Sequence, residues 1–246
     1  MFYFTFMRVL KHQSNYLQLK AKKSKDEGLG LIGLGVLGGL VSITLRATFA
    51  FIPLAILSII LVIFGLSSLQ GYENYSRGFK GEDLVSQSLM NLNDEYYLIS
   101  DIRFSDNFGN IDHIVLGPNG VFVIETKNYR GVIECVGDEW GKFYEEARYQ
   151  KYYETRSPSK QVKRNAIRVK QIIDSANILD RSINLWVDGI VVFVDPTVIL
   201  KLSNPTVPIL RSNQLCDYII NKPTKITFSP QELKNVASSI INQSLV

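Results

Sequence analysis

Two long apolar runs occupy the first part of the chain, and shorter apolar and polar segments alternate after them. Residues 29–45 are a stretch of 17 without a charged side chain, and residues 49–69 are one of 21. About 20 apolar residues cross a bilayer as a helix, so the second run predicts a transmembrane helix and the first a marginal one. Three residues separate the runs, which favours a tight helical hairpin. A signal peptide is the alternative for the first run, but the 28 residues before it argue against that.

Basic residues are concentrated on one side of the two apolar runs. Arg46 is the single charge between the runs, whereas Arg77 and Lys80 follow them. Six more basic residues precede the runs: Arg8, Lys11, Lys20, Lys22, Lys23 and Lys25. Positively charged loops stay in the cytoplasm. The sequence therefore predicts a multi-pass protein of the cell membrane whose soluble domain faces the cytoplasm.

The soluble region shows an alternation of helical and extended patterns. The predicted helices are 79–92, 159–176, 213–220 and one that starts at Ser229-Pro230, and the predicted strands are 96–102, 111–117, 120–127, 132–136, 186–194 and 208–210. Such an order predicts an α/β fold with a mixed sheet flanked by helices. The chain then divides into a basic arm (1–28), two transmembrane helices (29–70) and a soluble domain (72–246) with its core at about 76–195.

The segment from Asp112 to Lys127 predicts a β-hairpin. Pro118 and Asn119 lie between two glycines and two apolar runs, as in a tight turn. A two-residue connection places Asp112 opposite Glu125, with Cβ atoms roughly 5 Å apart. Lys127 projects from the same face as Glu125 because strand side chains alternate. A bulge in the turn is the alternative, and it would slip the pairing by one residue.

Two adjacent carboxylates repel each other, and one of them takes up a proton unless a cation compensates. Hard oxygen ligands of this kind suit Mg²⁺ or Mn²⁺. The pattern therefore predicts a metal site at Asp112 and Glu125, with an ammonium group beside it. The plain alternative is a salt bridge between two ordinary strand ends.

Glu82 is a third carboxylate in an unusual position. It shares one face of the predicted helix with Phe79, Val85 and Leu89. A carboxylate on an apolar face is costly to bury without a partner, which favours a place near the metal. The alternative is a glutamate near the start of a helix, favoured there by the helix dipole.

Positive charge is concentrated in one segment of the soluble region. Residues 148–170 contain 8 basic residues and 1 acidic residue, whereas residues 72–147 contain 6 basic and 14 acidic residues. The predicted helix 159–176 buries an apolar stripe and carries a polar row beside it. Its candidate phosphate-binding residues are Lys160, Lys163, Arg164, Asn165 and Arg168. The alternative is a solvated basic helix near anionic lipid.

Other classes of site have little support in the sequence. Residues 33–38 match G-x-G-x-x-G, but no strand precedes them and no acidic residue follows at the required distance, so this is not a dinucleotide site. Gly35 and Gly39, spaced as G-x-x-x-G, instead favour close packing of two helices. The two histidines and two cysteines do not fit a zinc hydrolase, and no phosphate-binding loop of the G-x-x-x-x-G-K-[ST] type is present.

The same residues are similar to a known family. Gly78–Glu82, Asn110–Leu116 and Gly120–Asn128, with Gly131 and Trp140 downstream, resemble the nuclease-related domain family. That family looks like a branch of the PD-(D/E)xK nucleases. The resemblance covers about half the chain and implies a restriction-endonuclease-like fold and Mg²⁺- or Mn²⁺-dependent cleavage of nucleic acid.

The resemblance also implies roles for particular residues. Asp112 and Glu125 would bind the metal, and Lys127 would orient or deprotonate the attacking water and stabilise negative charge. Glu82 would assist through the water shell of the metal, and Gln161 would position the substrate. DNA is favoured over RNA. The alternatives are a catalytically silent, membrane-tethered module that binds nucleic acid or lipid, and a membrane scaffold.

Overall fold

The computed structural model describes residues 7–11, 16–46, 48–105, 109–146, 149–178 and 185–245. The chain divides into two compact units. The α/β unit comprises Met1–Ser14 and Gly81–Val246, and the helical unit comprises Asn15–Lys80.

The helices and strands follow one another in this order: β1 (Arg8–Lys11), α1 (Tyr16–Thr44), α2 (Phe51–Leu89), β2 (Tyr97–Arg103), β3 (Asn110–Gly117), β4 (Gly120–Lys127), β5 (Val132–Val136), β6 (Glu139–Glu146), β7 (Tyr149–Glu154), α3 (Pro158–Ser175), β8 (Val187–Phe193), β9 (Ile199–Ser203), β10 (Ile209–Arg211), a 3₁₀ turn (Ser212–Gln214), α4 (Leu215–Ile220) and α5 (Pro230–Gln243).

The main sheet of the α/β unit has six strands in the order β1-β2-β3-β4-β8-β10. Strands β2, β3 and β4 are antiparallel neighbours, whereas β1, β8 and β10 pair in parallel with β2, β4 and β8. The central strands are buried on both faces. One face packs against α3 and α5, and the other against the end of α2 and against α4. The predicted α/β class with a mixed sheet is confirmed.

A second sheet of four strands has the order β7-β6-β5-β9. Trp140 of β6 is fully buried, stacks on Phe193 with ring centroids 5.9 Å apart, and donates a hydrogen bond from Nε1 to Ser159 Oγ at 3.0 Å. This contact fixes the first turn of α3, where the side chain of Ser157 caps the helix. The second sheet therefore helps to position α3 over the main sheet.

The helical unit consists of α1 and the first part of α2, which fit the predicted hairpin. Both helices are long and apolar enough to cross a membrane by length and composition. Small residues at seven-residue intervals are the buried positions of α1: Ala21, Gly28, Gly35 and Ser42. A Cβ on Gly35 would lie 2.7 Å from Val62 Cγ2, so only glycine permits this approach.

Gly39 does not share this role. A Cβ there would meet no atom of the described residues within 4 Å outside its own helix. The predicted G-x-x-x-G contact is therefore wrong at Gly39. A seven-residue repeat matches the 3.5-residue period of two helices that pack along a shared seam, and this repeat includes Gly28 and Gly35.

Several elements differ from the pattern-based prediction. The expected transmembrane helix at 49–69 and the expected helix at 79–92 are parts of the single helix α2. The segment expected as a basic arm contains β1, which joins the main sheet, and the start of α1. Strands β6, β7 and β9 were not predicted, since charged side chains interrupt the alternation that identifies a strand.

Candidate active site

The β3–β4 hairpin has the register that the two-residue turn predicts. Gly117 pairs with Gly120, and the ladder continues to His113 opposite Ile124. This register excludes the one-residue slip. Beyond the last pair, Asp112 Oδ2 accepts a hydrogen bond of 2.7 Å from the backbone N–H of Thr126. The carboxylate of Asp112 is thereby held against the end of β4, next to Glu125.

Lys127 and Gln161 complete one side of the site. Lys127 Nζ donates a short hydrogen bond to Glu125 Oε1 and lies 3.5 Å from Gln161 Oε1. Gln161 lies in the first turn of α3, the part that Trp140 and Ser157 fix. The predicted convergence of the carboxylates, the lysine and the glutamine is therefore present in the structure.

Burial controls the ionisation of this cluster. Removal from water raises the pKa of Asp112 well above its usual value, and the nearby charges of Glu125 and Glu82 raise it further. Burial also raises the pKa of Glu125, against the opposing influence of Lys127 and Arg164. Burial alone would lower the pKa of Lys127, but attraction to Glu125 and Asp112 outweighs this and raises it. In the metal-free protein Lys127 is thus held as a cation at neutral pH.

Glu82 reaches the site through a close contact of α2 with the strand ends. A Cβ on Gly81 would lie 3.0 Å from Asn128 Cβ and 3.3 Å from Val194 Cγ2. Because Gly81 has no side chain, α2 approaches β4 and β8 closely at this point. Glu82 is the next residue, is buried, and contributes to the raised pKa of Asp112.

The donor set fits a hard divalent cation that keeps part of its water shell. Glu125 is 2% exposed, and its Oε2 is buried without a hydrogen-bond partner. Among the described residues, no group of three or more His, Cys, Asp or Glu side chains is arranged to hold a metal. Mg²⁺ commonly binds through one or two carboxylates together with waters and substrate phosphates. Asp112 and Glu125 are such a pair.

The candidate phosphate-binding residues do not form one continuous row. Arg164 is close enough to lower the pKa of Glu125. Lys160 instead pairs with Glu139 at 2.7 Å, and Lys163 pairs with Asp138. These two ammonium groups lie at the turn between β5 and β6.

The other two candidates on α3 are buried. Asn165 is 1% exposed, and neither atom of its amide has a hydrogen-bond partner. The guanidinium of Arg168 lies over the ring of Phe104 at 4.3 Å. Arg164 is therefore the candidate cation with the clearest electrostatic link to the carboxylates.

Sequence patterns did not reveal how three residues contribute to the site. The backbone N–H of Thr126 holds Asp112, the phenol of Tyr129 contributes to the raised pKa of Lys127, and Gly81 sets the depth of α2. The backbone N–H of Thr126 could not be recognised because the type of a side chain does not show which bond its backbone makes. Gly81 was visible as the second glycine of the Gly-x-x-Gly-Glu motif, but its contact with the strand ends was not.

Comparison with known families agrees with this geometry. The model of the nuclease-related domain matches residues 77–194. These residues belong to the nuclease-related domain family. The nuclease-related domain is one of the PD-(D/E)xK-like nucleases. Its matched span begins in α2, ends just after β8, and includes every residue of the carboxylate cluster.

Comparison with curated proteins finds a relative that matches only a short segment of the chain. An uncharacterized protein of Bacillus anthracis is 43% identical over 61 residues, which are 23% of this chain and 29% of the relative. The chain thus spans less than a third of that protein. No solved structure matches the chain.

Proposed function

We propose that the protein is a membrane-anchored, Mg²⁺-dependent nuclease that hydrolyses phosphodiester bonds in DNA. The observation that carries the proposal is the buried pair Asp112 and Glu125 with Lys127 beside it. Two buried carboxylates with raised pKa values are costly for a fold unless they serve a ligand. Membership of the nuclease-related domain family supports a nuclease-like function.

The two carboxylates would hold the cation, which supplies Lewis-acid chemistry at the scissile phosphate and at the attacking water. Asp112 is kept in place by Thr126 N–H, and Glu125 offers Oε2. Glu82 would accept hydrogen bonds from the surrounding waters. In this arrangement the protein orients the water and excludes bulk solvent from the reacting phosphate.

Lys127 would act as a fixed positive charge. In the metal-free protein the carboxylates raise its pKa and keep it protonated, which favours a role as a charge over a role as a general base. The ammonium group instead stabilises negative charge that develops on the phosphate oxygens. Gln161, close to Lys127 Nζ, would orient the same phosphate or the attacking water.

The helical unit would hold the enzyme at the membrane. Its helices α1 and α2 satisfy the length and apolar composition of membrane spans, and their outward side chains include exposed Leu34, Leu37, Ile59 and Phe64. Apolar side chains exposed on a long helix are stable in contact with lipid. The basic residues that flank the apolar runs favour a cytoplasmic position for the catalytic domain.

The test is a cleavage assay with the full chain in detergent, on matched DNA and RNA substrates, with Mg²⁺ and with a chelator. We expect cleavage of DNA with Mg²⁺ only, and loss of cleavage in Asp112→Asn and Glu125→Gln. Asp217→Asn, an exposed change in α4, should cleave as the wild type does.

Three other outcomes of the cleavage assay would change the proposal. Cleavage that persists in Asp112→Asn would contradict the assignment of the site. Binding of DNA without cleavage would favour the silent module over the nuclease. Faster cleavage of RNA would correct the substrate and leave the mechanism intact.

A further inference from the structure

The α/β unit has a second concave region, separate from the carboxylates. This Trp186 groove has a volume of about 280 Å³ and lies between α3, the start of β8 and the segment before β10; its principal lining residues are Lys163, Ile167, Lys170, Trp186, Pro208 and Lys222. Val187 pairs with Val121, whereas Phe193 pairs with Lys127. Six residues at 3.3 Å each place the groove roughly 20 Å from Lys127 along the strands.

The apolar part of the groove is unusually open. Trp186 is 75% exposed and Ile167 is 59% exposed. Trp140, by contrast, is fully buried and stacked on Phe193. An indole left open to solvent beside a cavity offers a flat face on which another ring can stack. The wall of the groove therefore suits a planar aromatic ligand.

Three ammonium groups surround this wall, and each already has an acidic neighbour. The pairs are Lys163 with Asp138, Lys170 with Asp174, and Lys222 with Asp188. The lysine side chains are 39%, 34% and 28% exposed. The pair of Lys170 with Asp174 is exposed, and exposed ion pairs contribute only about 0–1 kcal/mol, so this ammonium group can turn to a phosphate at small cost. The pair of Lys222 with Asp188 is partly buried, and Lys222 lines the groove from that position.

We propose that the Trp186 groove binds a nucleotide unit, with its base stacked on Trp186 and its phosphate between Lys170 and Lys222. A stacking surface combined with lysines is how proteins hold unpaired nucleotides without strong sequence preference. Asp188 and Thr206, which also line the groove, add an acceptor and a hydroxyl for the edge of a base. The inference rests on the proposed nucleic-acid substrate. Either a single strand or a free nucleotide would supply this chemistry.

The experiment measures binding in the absence of cleavage. The full chain in detergent, with a chelator, is titrated with a labelled oligothymidylate of about twelve nucleotides and, separately, with thymidine monophosphate. Trp186→Ala should raise the Kd of the oligonucleotide about 5- to 150-fold, since stacking contributes on the order of 1–3 kcal/mol per base. Trp186→Phe should keep most of the affinity. Tryptophan fluorescence should be quenched in the wild type and not in Trp186→Ala.

Matched variants test the lysines. Lys170→Gln with Lys222→Gln should flatten the dependence of log Kd on log salt by about one to two units, whereas Lys234→Gln, an exposed change on α5, should not. Saturable quenching by thymidine monophosphate alone would assign a free nucleotide, and quenching by the oligonucleotide alone would assign a strand. An unchanged Kd in Trp186→Ala would overturn the inference, as would displacement of the oligonucleotide by an acidic peptide. Because no cleavage is required, either result is independent of the nuclease assay.

Discussion

Asp112 is buried beside two other carboxylates, and this controls how the stability of the protein depends on pH. Its pKa in the folded state is raised above the value of an unfolded aspartate. The folded state therefore binds more protons, and stability falls as pH rises from about 4 through the raised pKa. A tenfold change in an acid dissociation constant corresponds to about 1.4 kcal/mol. The charged site thus destabilises the folded state at neutral pH when no cation compensates its charge.

We therefore expect Asp112→Asn to stabilise the metal-free protein at pH 8, by on the order of 1 kcal/mol or more. The amide oxygen of asparagine can still accept from Thr126 N–H, so the geometry is retained. Thermal unfolding in detergent with a chelator measures the effect, and below pH 4 the two proteins should converge. Mg²⁺ should raise the midpoint of the wild type but not that of the variant. A variant less stable than the wild type at pH 8 would show that the ionised side chain of Asp112 does not destabilise the folded state.

Lys127 separates metal binding from catalysis. Lys127→Ala keeps both carboxylates but removes the charge proposed to stabilise the transition state. Cleavage should fall on the order of a hundredfold or more, with metal affinity nearly intact by calorimetry. Lys225→Ala, an exposed loop change, serves as the control. Cleavage at the rate of the wild type would mean that the hairpin is not the active site.

At the scale of elements, the hairpin was predictable because two apolar strands with a two-residue turn allow only one register that keeps their apolar faces buried. The same argument placed Glu125 and Lys127 on one face. The continuous helix α2 was not predictable from hydropathy, since charged residues from Glu73 to Lys80 end the apolar run without breaking the helix. Strand β1 was not predictable for a related reason: it contains two basic residues, and it forms by pairing with β2, which is distant in sequence.

The contact of α2 with the strand ends depends on the absence of a side chain at Gly81. Gly81→Val should displace α2 from Asn128 and Val194, move Glu82 away from Asp112, and reduce cleavage at least about tenfold. Gly78→Ala is the matched control, because a Cβ there makes only an ordinary contact of 3.7 Å with Leu17. Alanine also favours a helix over glycine by about 1 kcal/mol. Cleavage assays and circular dichroism on both variants separate displacement from unfolding. Equal activity of the two variants would contradict the role of Gly81.

At the scale of the whole molecule, charge and apolar length together imply a topology. Arg46 is the single charged residue between the two apolar runs, whereas basic residues lie before the first run and after the second. A helical hairpin with this distribution should keep both outer ends in the cytoplasm. A nuclease held there would act on nucleic acid inside the cell. The position of the turn relative to the membrane therefore decides which substrate the site can meet.

Single cysteine variants test this topology in intact cells with a membrane-impermeant maleimide. Thr48→Cys, in the turn, should be labelled from outside, because Thr48 is exposed and lies between the two spans. Lys22→Cys, before the first apolar run, and Asn74→Cys, after the second, are at exposed positions and should be labelled only after the membrane is permeabilised. The unmodified protein is the control, since Cys135 is buried and Cys216 is partly buried, and both follow the second span. Labelling of Asn74→Cys in intact cells would place the nuclease-related domain outside and remove cytoplasmic DNA as its substrate.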